Sequence, residues 1–70
     1  MTVILGNDEK ESLFNDYPPP WTEETLDIFS EELGIFYKSS YFHEHTQDYY
    51  DEFYIVNEKK WLLAKLKYSI

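Results

Sequence analysis

The spacing of apolar positions changes along the chain, and each change marks an element. Residues 2–5, Thr-Val-Ile-Leu, form a short β-branched and apolar run suited to an edge strand. Residues 6–16 are polar and acidic, with Leu13 and Phe14 as the only anchors. Tyr17-Pro18-Pro19-Pro20-Trp21 follows. Its prolines fix φ and remove N–H donors, so an extended, stiff connector is expected, with the two flanking rings packed on the core. A ligand for an aromatic groove is the alternative, but the segment lacks the flanking bases that orient many such ligands.

A helix is predicted over 22–33. Thr22 is a suitable N-cap, Glu23 and Glu24 place negative charge at the helix start, and Gly34 suits the position after the end. At 100° per residue Leu26, Phe29 and Leu33 share one face. Glu23, Asp27 and Glu31 form an i, i+4 stripe nearly opposite, with Ile28 and Trp21 between.

Beyond Gly34 the period becomes two. Strands are expected over 35–42 and 49–56, joined by a polar turn at 43–48. Residues 57–60 have the length of a hairpin loop, and Leu62, Ala64, Leu66 and Tyr68 then alternate as a third strand would. The competing expectation is a helix at 58–68, since Leu, Ala and Lys all favour one. The fold class that follows is α+β in two layers: one helix on an antiparallel sheet of three strands, or four if residues 2–5 join. The sheet is expected to be a meander whose other face stays open and rich in Tyr. No internal repeat or domain boundary appears, so residues 1–70 read as one small domain.

Composition narrows the function classes. Of the residues, 20% are aromatic, which offers enough apolar area to favour folding over an acidic disordered chain. No cysteine is present to form disulfides or thiolate metal sites. Fourteen acids against six lysines, with no Arg, give a net charge of −8. Phosphate backbones and anionic membranes would repel such a chain, so neither nucleic acid nor membrane is an expected direct partner. The N-terminus has no basic flank or long apolar stretch, and a cytoplasmic location is expected. The bias toward Phe, Tyr, Ile, Asn and Lys suits an AT-rich source, such as a low-GC bacterium or its phages.

The charge is segregated. Residues 1–58 hold every acid and a local balance of −12, whereas residues 59–70 hold four Lys and no acid. Two acidic groups stand out. One is the helical stripe of Glu23, Asp27 and Glu31, with Glu24 and Glu32 beside it. The other is Glu44, Asp48, Asp51 and Glu52, interleaved with Tyr41, Tyr49, Tyr50 and Tyr54. Like charges held close cost stability in a chain with little to spare, unless a cationic partner relieves them. A solvated, solubilising coat is the plainer explanation for the same residues.

Other chemistry is poorly supported. His43, His45 and Asp48 have the spacing of metal ligands, but two His and a carboxylate in a loop are common by chance, so no metal or cofactor is expected. Ser39 and Ser40 near His43 lack the further members nucleophilic catalysis needs, and the glycines form no phosphate cradle. An enzyme is therefore not expected.

In its small size, acidity, Tyr content and lack of Cys, the chain resembles phage-encoded inhibitors of host nucleic-acid enzymes and defence complexes, including DNA mimics and anti-CRISPR proteins. The resemblance is one of composition, without a shared motif. It implies a non-enzymatic inhibitor that docks on a basic nucleic-acid-binding site of a partner protein. Glu23, Asp27, Glu31, Glu44, Asp48, Asp51 and Glu52 would meet the partner's cations, with Tyr49, Tyr50 and Trp21 as anchors. A structural or regulatory subunit using an apolar sheet face, and an immunity or antitoxin protein against a basic nuclease, are the alternatives.

Overall fold

The computed structural model describes residues 1–70. The elements in chain order are strand β1 (Thr2–Leu5), helix α1 (Asn7–Leu13), helix α2 (Glu23–Glu32), strand β2 (Ile35–His43), strand β3 (Asp48–Ile55) and helix α3 (Glu58–Tyr68). The strands form one antiparallel sheet in the order β1-β3-β2. The α+β class and the packing of a helix on an antiparallel sheet match the sequence expectation, but there are three helices rather than one.

Helix α2 begins and ends as its sequence predicts. The Thr22 hydroxyl accepts the Thr25 N–H, and the Thr25 hydroxyl in turn accepts the Thr22 N–H. Gly34 follows with φ +71°.

Helix α1 was not expected. Its N-cap is Gly6, which has no side chain to signal it; the Glu9 carboxylate instead accepts the Gly6 N–H at 3.1 Å.

The expected third strand is also corrected: residues 58–68 form α3. Asn57 caps it by accepting the Lys60 N–H at 3.1 Å. Glu58 occupies the first turn, Lys65 and Lys67 the last, and Ser69 closes it in the left-handed region. Trp61, Ala64 and Tyr68 supply the helical spacing, and the alternation of Leu62, Ala64, Leu66 and Tyr68 is incidental. The third strand of the sheet is β1, which occupies the edge of β3 that residues 61–68 were expected to fill.

Every element contributes to one core of Leu5, Leu13, Phe29, Leu33, Ile35, Phe53, Trp61 and Ala64. Trp61 is therefore a core residue rather than the surface residue its place in a strand would have made it. The two rings flanking the connector pack on the core as expected, since Tyr17 and Trp21 both stack edge-on against Phe29, at 5.0 and 4.9 Å. The segment itself is bent rather than extended, with the Pro19–Pro20 bond in cis. The Trp21 indole donates to the Tyr17 carbonyl at 2.7 Å. These aromatic contacts supply much of the apolar burial that so short a chain needs.

The sheet residues in the core, Leu5, Ile35 and Phe53, are on one face. Neighbouring positions point the other way. That outer face carries no core residue and presents Thr2, Ile4, Phe36, Lys38, Tyr41, Tyr50, Glu52 and Tyr54. Between Tyr37 and Ser39 the register shifts, with Lys38 as the extra residue of a bulge.

Candidate functional site: the acidic surface

Structure separates the acidic residues by what their carboxylates touch. Asp51 lies on the inner face of β3, where Ser40 donates to it at 2.6 Å and Lys10 of α1 pairs with it at 3.6 Å. Tyr37 shares a 2.7 Å hydrogen bond with Ser40, so Asp51 anchors a polar network beyond the end of the core. Its neighbour Glu52 points to the outer face and pairs with Lys38 at 3.4 Å. Two residues expected to meet one partner together thus face opposite sides of the sheet, and each already has a cation of its own.

Asp48 accepts a hydrogen bond from the Asn7 side-chain amide at 2.7 Å, tying the start of β3 to α1. Asp16 pairs with Lys67 at 3.6 Å and accepts from Tyr68 at 2.6 Å. Glu32 accepts from Tyr17 at 3.0 Å. These last two bonds, together with burial, hold the phenols of Tyr68 and Tyr17 in their neutral form; burial is the larger cause in both, and both pKa values are raised.

The stripe on α2 differs. Glu23, Glu24, Asp27 and Glu31 are exposed, and none of their carboxylates forms an ion pair, although Lys60 donates to the Glu31 backbone carbonyl at 2.6 Å. Their spacing puts them on the solvent side of the helix, because Phe29 is buried and Leu26 half-buried on the other. Glu23 and Asp27 also border an open groove of about 330 Å³ with Leu26, Phe36 and Tyr37. A cation entering it would meet two carboxylates and an exposed aromatic ring that can pack along an aliphatic stem. Glu23 and Glu24 serve a second purpose in the first turn, where their charge favours the helix.

The remaining expected residues form no continuous site with α2. Glu44 lies in the exposed four-residue turn between β2 and β3, which ends with Gln47 at φ 55°. Tyr49 is exposed and packs on Phe42 at 5.0 Å, on the inner side of the hairpin. Tyr50 faces the other way, stacked with Tyr41 at 5.9 Å. His43 and His45 have ring centroids 5.7 Å apart, but Asp48 is engaged by Asn7, and no group of three metal-ligating side chains forms.

What sequence reasoning missed is the set of partners that engage Asp48, Asp51 and Glu52, namely Asn7, Lys10 and Lys38, which strand pairing brings near. Glu24 lies beside Glu23 in the α2 stripe, where the sequence also put it. No helix is long and apolar enough to cross a membrane.

No family model, curated protein or solved structure matches this chain.

Proposed function

We propose that this protein is a small acidic, non-enzymatic inhibitor that binds a basic nucleic-acid-binding site on a partner protein. On this reading it acts in the manner of a DNA mimic, as a phage anti-defence or host-takeover protein such as an anti-CRISPR would in the host cytoplasm. The observation that carries it is the exposed row Glu23, Glu24, Asp27 and Glu31, whose carboxylates form no ion pair within the molecule. Successive i, i+4 carboxylates are about 6 Å apart, a spacing suited to the Lys and Arg rows that grip a phosphate backbone. Asp51 and Glu52, committed to Lys10 and Lys38, have structural work and are secondary to this role.

The test is a low-salt pull-down from a low-GC bacterial lysate with a salt-step elution, run beside the variant Glu23→Lys/Asp27→Lys/Glu31→Lys. The expected result is one basic nucleic-acid enzyme, retained by the unaltered protein, lost by the variant and competed off by its own nucleic acid. Retention of the same enzyme by the variant would overturn the assignment.

A further inference from the structure

We propose that the outer face of the sheet is a self-association surface, on which a second copy of this chain stacks about a two-fold axis. Ile4, Phe36, Tyr41 and Tyr54 are 40% to 49% exposed on this face, although each belongs to a strand. Register places them in adjacent rows: Tyr54 lies opposite Thr2 on one side and Phe36 on the other, and Ile4 is opposite Glu52. Together they form one apolar surface that the helices leave uncovered.

Charge identifies the occupant. The chain carries −8, so most ways of bringing two copies together oppose carboxylate to carboxylate. The centre of this face is balanced, with one cation, Lys38, and one anion, Glu52, paired at 3.4 Å. Lys38 also lies over the Tyr54 ring at 5.6 Å, within cation–π range. A two-fold axis sets a surface against itself, so residue i meets residue j of the second copy and j meets i. Lys38 of each copy can then reach Glu52 of the other, and the aromatic rows pack as stacked sheets do. Carboxylates without a cation flank the face at both ends: Glu23 and Asp27 border Phe36 at the β2 edge, and Asp8, Glu9 and Asp48 surround Tyr50. Their mutual repulsion is the main electrostatic cost of this arrangement, and salt relieves it.

A three-stranded face of this length buries on the order of 700–800 Å² in total, below the roughly 1,200 Å² at which stable interfaces begin and in the range open only to a transient pairing. The pairing is therefore expected to be reversible and dependent on concentration. It does not rest on the role proposed for α2, which lies in the helical layer.

Analytical ultracentrifugation across the micromolar to millimolar range tests it. The expected result is a concentration-dependent shift from the 8.5 kDa chain to twice that mass, strengthened by added salt. Binding of a basic partner through α2 should weaken with salt, which separates the two proposals. Phe36→Glu and Tyr54→Glu should each give monomer. Lys38→Glu should also give monomer, while Lys38→Glu/Glu52→Lys restores association. The Glu23→Lys/Asp27→Lys/Glu31→Lys variant should dimerise at least as well as the unaltered chain. Since a substitution can unfold so small a domain, amide chemical shifts of the unaltered protein on dilution provide a second measurement. Changes confined to the outer-face rows are expected. A monomer at every concentration, or shifts centred on the exposed Leu62, Leu63 and Leu66 of α3 with a dimer dispersed by Leu66→Lys, would overturn the proposal.

Discussion

Gly34 and Asn57 fasten the two halves of the chain to each other. The Gly34 carbonyl accepts the N–H groups of both Val56 and Asn57, at 2.9 and 3.1 Å. A Cβ at position 34 would overlap the Asn57 carbonyl, and the φ of +71° favours glycine in any case. The end of α2 and the start of α3 are thereby held in direct backbone contact. Gly34→Ala is expected to cost more than about 2 kcal/mol, from backbone strain together with the clash. The fall in the urea midpoint measures it, and an unchanged midpoint would refute the close approach.

Asn57 has a further role as the cap of α3. Asn57→Ala should cost about 1 kcal/mol, and Asn57→Ser much less, because Ser caps nearly as well. Denaturant curves of the two variants provide the comparison. Equal losses would mean that the side chain matters for something other than capping.

Phe29 is fully buried and takes edge-on contacts from both Tyr17 and Trp21. Phe29→Ala should cost about 3–5 kcal/mol. A domain of this size has a total stability of the same order, so the variant is expected to be largely unfolded at room temperature. Loss of near-ultraviolet circular dichroism would report it.

The acidic groups should respond differently to charge reversal. Glu23→Lys/Asp27→Lys/Glu31→Lys is expected to leave the urea midpoint nearly unchanged, because these side chains are exposed and unpaired. Asp51→Lys should destabilise by about 1–2 kcal/mol, since it sets a second cation against Lys10 and removes the acceptor for Ser40. Parallel denaturation of both variants checks the contrast. Equal losses would mean that the paired and the exposed carboxylates do not differ in their contribution to the fold.

Alkaline pH should weaken the fold. The phenols of Tyr17 and Tyr68 have raised pKa values, first through burial and then through their bonds to Glu32 and Asp16. A group whose folded pKa lies above its unfolded value contributes stability that is complete below the unfolded value. That contribution is lost as pH rises above about 10. The urea midpoint is therefore expected to fall above that pH, and to fall less steeply in Tyr17→Phe. A tyrosinate absorbance titration should show two phenols ionising late.

How much the sequence revealed depended on how local each signal was. Helix α2 and the β2–β3 hairpin were legible because Thr22, Gly34 and the period of two are written within the elements themselves. Helix α1 was not, because its cap is a glycine bonded by Glu9, and a seven-residue helix with little beyond Leu13 to bury has almost no periodic pattern. Helix α3 carried two periods at once, and its signals at Asn57, Glu58 and the terminal lysines outweigh the alternation that suggested a strand. Of the acidic surface, the α2 stripe followed from helical geometry alone. The engagement of Asp48, Asp51 and Glu52 depended on Asn7, Lys10 and Lys38, brought near by strand pairing over as many as 41 residues. Even so, the opposed directions of Asp51 and Glu52 follow from adjacency on any strand.

Strand β3 is the last strand in the chain and the middle strand of the sheet. During synthesis, neither β1 nor β2 has a neighbour to bond until residues 48–55 have left the ribosome, and the core is still open until Trp61 follows. Aromatic side chains such as Phe29 and Tyr37 must therefore wait in water for most of the time the chain is being made. Acquisition of structure is then a late, single event, and the abundant negative charge of the first fifty-eight residues would keep neighbouring nascent chains apart until it occurs.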